Sequence, residues 1–229
     1  MQIIGRRQER QTLARLEAST HPEFLAVMGR RRVGKTYLIR EFFADRLAFD
    51  LTGTLASRSE QMAAFDRAAA RHGTYPPSRT WPDAFATLRT LLETDPRPGK
   101  KVVFIDELPW LATARSGLLE ALGEFWNSWG STRPDLLLIV CGSSTSWMTD
   151  RLLTTRGGLH NRLTATINLQ PFTLGECEEF LTARNLVMNR YQMVECYMIF
   201  GGVPQYLALL QPQFGRAQNV DALCFAESG

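Results

Sequence analysis

Apolar positions fall into short runs separated by longer, periodically mixed stretches. Residues 24–28, 102–105 and 136–141 are continuous apolar runs of strand length. Strands buried on both faces of a parallel sheet have this pattern. Residues 47–52 form another strand candidate, and 163–169 alternates polar and apolar positions like a last strand. Between these runs apolar residues recur at helical spacing. The opening 3–16 starts with a turn and becomes a helix with Leu13 and Leu16 on one face, broken by Thr20-His21-Pro22. Residues 37–43 read as a helix, and Ser57 or Ser59 caps another running to about residue 71. A loop over 73–82 holds three prolines, and Trp81-Pro82-Asp83 opens a helix through Leu92. A Pro/Gly loop over 94–99 follows. Residues 108–129 form one helical region whose stripe of Leu118, Leu122, Phe125, Trp126 and Trp129 reads as core.

The strand–helix alternation stops at Pro171. Thr173 with Glu176 three residues on is a capping box, 191–200 is a helix ended by Gly201-Gly202, and Pro204 opens one more. The expected fold is an α/β three-layer sandwich with a mostly parallel sheet and helices on both faces. The core spans 1–170, and a small lid of three short helices spans 171–229. The chain stops at Ser228-Gly229 with no closing element, which raises the expectation of a truncated protein, with an ordinary C-terminus as the alternative.

The strongest chemical signal lies after the first strand. Gly29-Arg30-Arg31-Arg32-Val33-Gly34-Lys35-Thr36 fits G-x-x-x-x-G-K-[ST] at every fixed position. Gly29 and Gly34 let the backbone curl so that several N–H groups face one anion. Lys35 reaches the β- and γ-phosphates, and the Thr36 hydroxyl ligates Mg²⁺. The helix starting at the loop aims its positive end at the same phosphates, and the contact set runs on into Tyr37. The bland alternative is a glycine-bounded basic turn. A strand before the loop and a helix after it favour the nucleotide site.

The second signal is Asp106-Glu107, where the run 102–105 ends in two carboxylates. Ligands bind at the carboxyl ends of strands in open α/β sheets. Asp106 then belongs to the Mg²⁺ shell, and Glu107 orients and deprotonates an attacking water. Alone, the pair would read as solvated acids at a strand end. At the end of 136–142, Ser143 to Ser146 offer a hydroxyl to the water or γ-phosphate, while Thr145 or Ser146 equally suits a cap for a helix around 147–152. Arg156 or Arg162, in the basic loop 154–162, are candidates to bring positive charge to the γ-phosphate in cis or from a neighbouring subunit, against the solvated role that loop arginines usually have.

Composition narrows the picture further. With 26 basic and 23 acidic residues in 229, the net charge of +3 makes no case for nucleic acid or membrane. Cys141, Cys177, Cys196 and Cys224 form no C-x-x-C pair, and His21, His72 and His160 are far apart. The cysteines read as small buried residues in a reducing cytoplasm, and no zinc site emerges. The first residues lack a signal-peptide core, and every apolar run is far shorter than the roughly 20 residues of a membrane span. Arg30 to Arg32 invite a DNA-associated motor reading, but no basic stripe interleaved with aromatics supports it. No N-K-x-D stretch supports guanine recognition.

Taken together the motifs resemble the archaeal-type ATPases of the STAND class, relatives of the AAA+ ATPases. Ile4-Gly5-Arg6-Arg7-Gln8-Glu9 resembles the h-G-R-x-x-E box, which implies backbone contact of Ile4, Gly5 and Arg6 with adenine. Gly29 to Thr36 resembles the family's G-R-R-R-x-G-K-T loop, arginines included. Ile105-Asp106-Glu107-Leu108-Pro109-Trp110 is similar to its acidic motif. Gly201-Gly202-Val203-Pro204-Gln205-Tyr206-Leu207 resembles the G-G-x-P-x-Y-L lid signature, implying that Pro204 packs against adenine. Ser143 falls at the family's polar sensor, and Arg162 suits the pre-strand arginine position better than Arg156. The resemblance implies ATP or ADP with Mg²⁺ as ligands, a conformational switch driven by hydrolysis, and self-association or a protein partner. A nucleotide-holding module with negligible turnover is the alternative. The resemblance implies that members usually continue past the lid into a winged-helix region and often a nuclease-like C-terminal domain, neither of which is read in these 229 residues.

Overall fold

Strand-length apolar runs become strands and amphipathic stretches become the helices that cover them. The computed structural model describes residues 3–154, 159 and 161–225. In chain order the elements are α1 (Arg7–Ala18), β1 (Glu23–Met28), α2 (Lys35–Phe43), β2 (Leu47–Thr52), α3 (Arg58–Ala69), α4 (Trp81–Thr94) and β3 (Lys101–Asp106). Next come α5 (Leu108–Leu111), α6 (Leu118–Ser128), β4 (Leu136–Gly142), α7 (Thr145–Met148) and β5 (Ala165–Asn168). The remaining helices are α8 (Leu174–Ala183), α9 (Arg190–Phe200), α10 (Pro204–Leu207) and α11 (Arg216–Cys224).

The five strands run in the order β2-β3-β4-β1-β5, and every pairing is parallel. Register aligns the carboxyl ends: Met28 pairs with both Gly142 and Asn168, and Thr52 pairs with Asp106. The two sheet faces carry separate cores because side chains alternate along each strand. Phe24, Ala26, Val103, Leu138 and Val140 pack under α3, α4 and α6. Leu25, Val27, Phe104, Ile139 and Cys141 meet Leu13 and Leu16 of α1 and Leu38, Ile39 and Phe43 of α2. Phe172, Cys177, Leu181, Met193, Cys196, Phe200 and Leu207 form a third apolar cluster within the C-terminal helices.

Local chemistry sets the helix starts. Ser57, Thr80, Thr173 and Asn189 each close a capping box with the residue three positions on. Ser57 is therefore the cap of α3, not Ser59. Several expectations need correction. Residues 108–129 are not one helix: α5 and α6 are split by 112–117, with Pro109 in the first turn of α5 and Gly117 at a φ of 73° before α6. Neither Thr145 nor Ser146 caps a helix; α7 starts after Ser144, whose side chain makes no capping bond. Beyond Pro171 four helices are present among the described residues, not three. Three cysteines are buried as expected, but Cys224 is exposed.

Candidate functional site

β1 ends at Met28 and the chain turns sharply into the glycine-rich loop. Gly29 has a φ of 144°, and a Cβ there would stand 2.3 Å from the Leu169 carbonyl oxygen. Only glycine lets the loop leave β1 so close to the chain following β5. Lys35 opens α2, and its buried ammonium curls back over the loop. It donates to the carbonyls of Gly29 (2.8 Å) and Arg30 (2.9 Å) and to Ser143 Oγ (3.1 Å). The unpaired N–H groups of the first turn of α2 and this ammonium make the loop a natural anion site.

Two acids stand at the adjacent strand end. Thr36 Oγ1 donates to Asp106 Oδ2 at 2.6 Å, and the Glu107 amide donates to Asp106 Oδ1 at 3.0 Å. Asp106 is buried. Glu107 follows in left-handed backbone, φ 50° and ψ 47°, which swings its side chain toward β4. There the Ser143 hydroxyl donates to Glu107 Oε1, and the Ser143 amide reaches Oε2 at 3.4 Å. Cys141, beneath this cluster, is buried, and burial pushes its thiol well up, so it stays a neutral neighbour of Asp106.

These groups line the polar end of a cavity of about 720 Å³, of a size that takes a small-molecule ligand. Ile3, Ile4, Phe172, Phe180, Pro204 and Ala208 supply apolar walls. Tyr37 also lines it, its phenol pushed up by partial burial and by Glu41.

Arg6 ties the walls together. Its guanidinium donates to the Gln170 carbonyl (2.7 Å) and the Val33 carbonyl (3.0 Å) and lies 4.5 Å from the centre of the Phe172 ring. The Arg6 amide donates to Glu176 Oε1 at 2.7 Å. Burial lowers the Arg6 pKa, opposed by the charges of Glu176 and Glu9. Burial would raise Glu176, but the amides of Arg6 and Thr173 and the Arg6 charge more than offset it, leaving the carboxyl below its ordinary value.

Most of the predicted set gathers here. Ile4, Arg6, Arg31, Arg32, Val33, Gly34, Lys35, Thr36, Tyr37, Glu107, Ser143 and Pro204 line the cavity. Gly5, Gly29, Arg30 and Asp106 do not; Asp106 is linked to it through its hydrogen bonds with the lining residues Thr36 and Glu107. Arg162 does not reach the cavity of its own chain, which corrects its role in cis but not one exerted from a neighbouring subunit. It is exposed, its amide donates to the Leu159 carbonyl, and it lies away from the cavity. It precedes β5, so the parallel sheet puts it at the amino edge, opposite the end where Met28, Asp106 and Gly142 finish. Arg156 lies outside the described residues. The sequence reading missed Phe172, Phe180 and Arg184. Arg184 follows α8, donates to the Ala208 carbonyl at 2.8 Å and lies over Phe180. The helical spacing of Phe180 and Arg184 was the available signal. Among the described residues no three His, Cys, Asp or Glu gather as a metal cluster, and no helix is long and apolar enough to cross a membrane.

Residues 4–210 match the family described as an ATPase domain predominantly from Archaea. An uncharacterized protein of Methanocaldococcus jannaschii is 25% identical over 214 residues, covering 93% of this chain and 45% of that protein. The chain thus spans less than half the length of this curated relative. A Walker-type ATPase of Pyrococcus abyssi superposes with a TM-score of 0.70 at 19% identity, over 96% of this chain and 71% of the other. A STAND protein with a tetratricopeptide repeat sensor from Pyrococcus horikoshii gives 0.55 at 15% identity, over 91% and 29%. Cdc6p of Pyrobaculum aerophilum gives 0.56 at 16% identity, over 80% and 50%. At these identities the three likenesses concern the fold.

Proposed function

The chain belongs to the ATPase domain family found predominantly in Archaea, and from that premise we propose that it binds ATP with Mg²⁺, hydrolyses it, and uses the nucleotide state to set the position of a helical lid. Residues 1–170 are the core and 171–229 the lid. The observation that carries this reading is a single cavity lined by the glycine-rich loop and Lys35, by Glu107, and by Phe172, Phe180 and Pro204 of the C-terminal segment. A ligand there touches both parts at once, which couples occupancy to their relative placement.

Each role follows from local chemistry. The loop amides and Lys35 hold the β- and γ-phosphates. A hydroxyl and a carboxylate, Thr36 and Asp106, are hard oxygen donors that suit Mg²⁺, which keeps several of its waters and binds through few protein groups. Bound there, the ion would neutralise charge on the phosphates. Glu107 orients and deprotonates the attacking water, and Ser143 holds that carboxylate and meets the lysine. The apolar walls, with Ile4 and Pro204, take the base.

Steady-state ATP hydrolysis across a range of protein concentrations tests this, with Glu107→Gln and Lys35→Ala alongside. The expected result is turnover lost in Glu107→Gln with nucleotide still bound, and binding lost in Lys35→Ala. Specific activity that rises with concentration would mean that a neighbouring copy completes the site. Hydrolysis by Glu107→Gln at the parent rate would overturn the role given to that residue.

A second reading is a nucleotide-holding module that recruits a partner with negligible turnover. It draws on the pairing of both Glu107 carboxylate oxygens with Ser143, which occupies the base that hydrolysis requires. Bound nucleotide recovered without phosphate release would favour it.

A further inference from the structure

The three consecutive arginines of the loop differ in their surroundings. Arg30 does not line the cavity. Arg31 lines it but is turned toward α5, its guanidinium 5.6 Å from the centre of the Trp110 ring. Arg32 lines it and is held from the other side of the site. Arg32 Nη1 donates to the Tyr206 hydroxyl at 3.0 Å, and the guanidinium lies 5.3 Å from the centre of the same ring. Tyr206 belongs to α10 and is not itself a lining residue.

Three further facts bear on this pair. Arg32 has a φ of 72°, a conformation that a residue with a side chain holds only where its surroundings stabilise it. No carboxylate forms an ion pair with Arg30, Arg31, Arg32 or Lys35 among the described residues, so no direct salt bridge ties up the Arg32 guanidinium. A guanidinium has five N–H donors in a planar fork, and Tyr206 accepts from one of them. The ring beneath and the hydroxyl at one corner restrict how the plane can turn, while other donors remain for an oxyanion.

We propose that Arg32 contacts the terminal phosphate of the nucleotide from within the same chain, and that Tyr206 is a positioning residue that orients Arg32 for it. This deepens the proposed function and rests on it. It supplies, from the loop itself, positive charge that Arg162 of the same chain, at the opposite edge of the sheet, does not bring to this cavity. It also gives the lid a direct link to phosphate number. A ligand with a γ-phosphate engages an arginine already anchored on α10, and a diphosphate leaves that arginine on Tyr206 alone. Arg32 therefore adds to the affinity for ATP over ADP, and Tyr206 adds to it only through Arg32.

The experiment is a double-mutant cycle on the ratio of ATP to ADP affinity, read with fluorescent nucleotide analogues on the full chain. The variants are Arg32→Ala, Arg32→Lys, Tyr206→Phe and Arg32→Ala/Tyr206→Phe. Arg32→Ala is expected to lower the ratio about tenfold, as loss of a charge-assisted contact does. Tyr206→Phe, which keeps the ring, should lower it about threefold, and the double variant should match Arg32→Ala. Arg32→Lys retains the charge without the fork and should fall between parent and Arg32→Ala. An unchanged ratio in Arg32→Ala overturns the phosphate contact. Equal loss of ATP and ADP affinity in Tyr206→Phe, or a Tyr206→Phe effect that persists on the Arg32→Ala background, overturns the positioning role. A parent chain that binds neither nucleotide overturns the proposed function itself, and this inference with it.

Discussion

The Thr36 hydroxyl and the Asp106 carboxylate are joined by a 2.6 Å hydrogen bond across 70 positions of sequence. The contact links the first turn of α2 to the carboxyl end of β3. Both groups are oxygen donors beside the loop that faces phosphate, so they should act together on Mg²⁺. Thr36→Ala and Asp106→Asn are each expected to weaken Mg²⁺-dependent ATP binding about tenfold or more, while binding measured in chelator changes little. A titration of ATP with and without Mg²⁺ checks this. An unaltered Mg²⁺ response in both variants would remove these residues from the metal's surroundings.

Ser143 meets both Lys35 and Glu107. Its removal leaves the base and the lysine in place but less well held. Ser143→Ala should therefore reduce kcat about tenfold, less than the loss of about a hundredfold or more expected for Glu107→Gln, with little change in ATP affinity. Equal kcat values for parent and Ser143→Ala would show that β4 contributes no hydroxyl to turnover.

Gly202 has a φ of 67°, and a Cβ there would lie 2.3 Å from the Phe172 carbonyl oxygen, which accepts no such approach. The Gly202 carbonyl in turn accepts the Phe172 amide at 2.7 Å. Gly202→Ala combines a left-handed backbone with a clash against main chain. It should destabilise the chain by about 2 kcal/mol or more, seen as a lower denaturant midpoint. Gly99, also at positive φ, has nothing within 4 Å of its added Cβ, so Gly99→Ala should cost less. The order of the two midpoints is the decisive comparison.

Acid sensitivity should centre on Asp95. The Arg97 side chain, donating through Nε and Nη2, holds this carboxyl at about 2, against the opposing effect of its burial. A depressed folded-state pKa stabilises the fold above the unfolded value, and that contribution is lost as pH falls through the folded value. The window therefore runs from about pH 4, the ordinary carboxylate value, down to about 2. Asp95→Asn should be less stable at neutral pH and lose less stability across this window. Asp135, lowered by Arg133, still titrates in the variant, so the slope flattens without vanishing. Parallel slopes for parent and variant would exclude Asp95 as a main contributor.

Much of the core was legible because its signals are local. A buried strand is a short apolar run, and capping boxes at Ser57 and Thr173 lie within four residues. The division of 108–129 escaped because its apolar stripe continues past the break, and the left-handed turn at Gly117 can only be read from backbone geometry. The apolar walls from Phe172 and Phe180 escaped because at helical spacing they look like any core stripe. Arg162 was placed by likeness to a family position, yet a residue just before a strand of an all-parallel sheet falls at the amino edge, away from the strand ends that carry Asp106 and Ser143.

By itself the sequence determined the phosphate loop, the acidic end of β3, the parallel α/β class and the helical region after Pro171. Periodicity and loop chemistry encode these within a few residues. Only the tertiary structure decided the partners. The order β2-β3-β4-β1-β5 puts β1 between β4 and β5, so one loop meets Ser143 on one side and the start of the helical segment on the other. Arg6 to Gln170 and Arg32 to Tyr206 are separated by 164 and 174 positions, and Ser143 to Glu107 by 36. Strand order and register, set by the packing of whole faces, choose such pairs, and no local pattern in the chain records them.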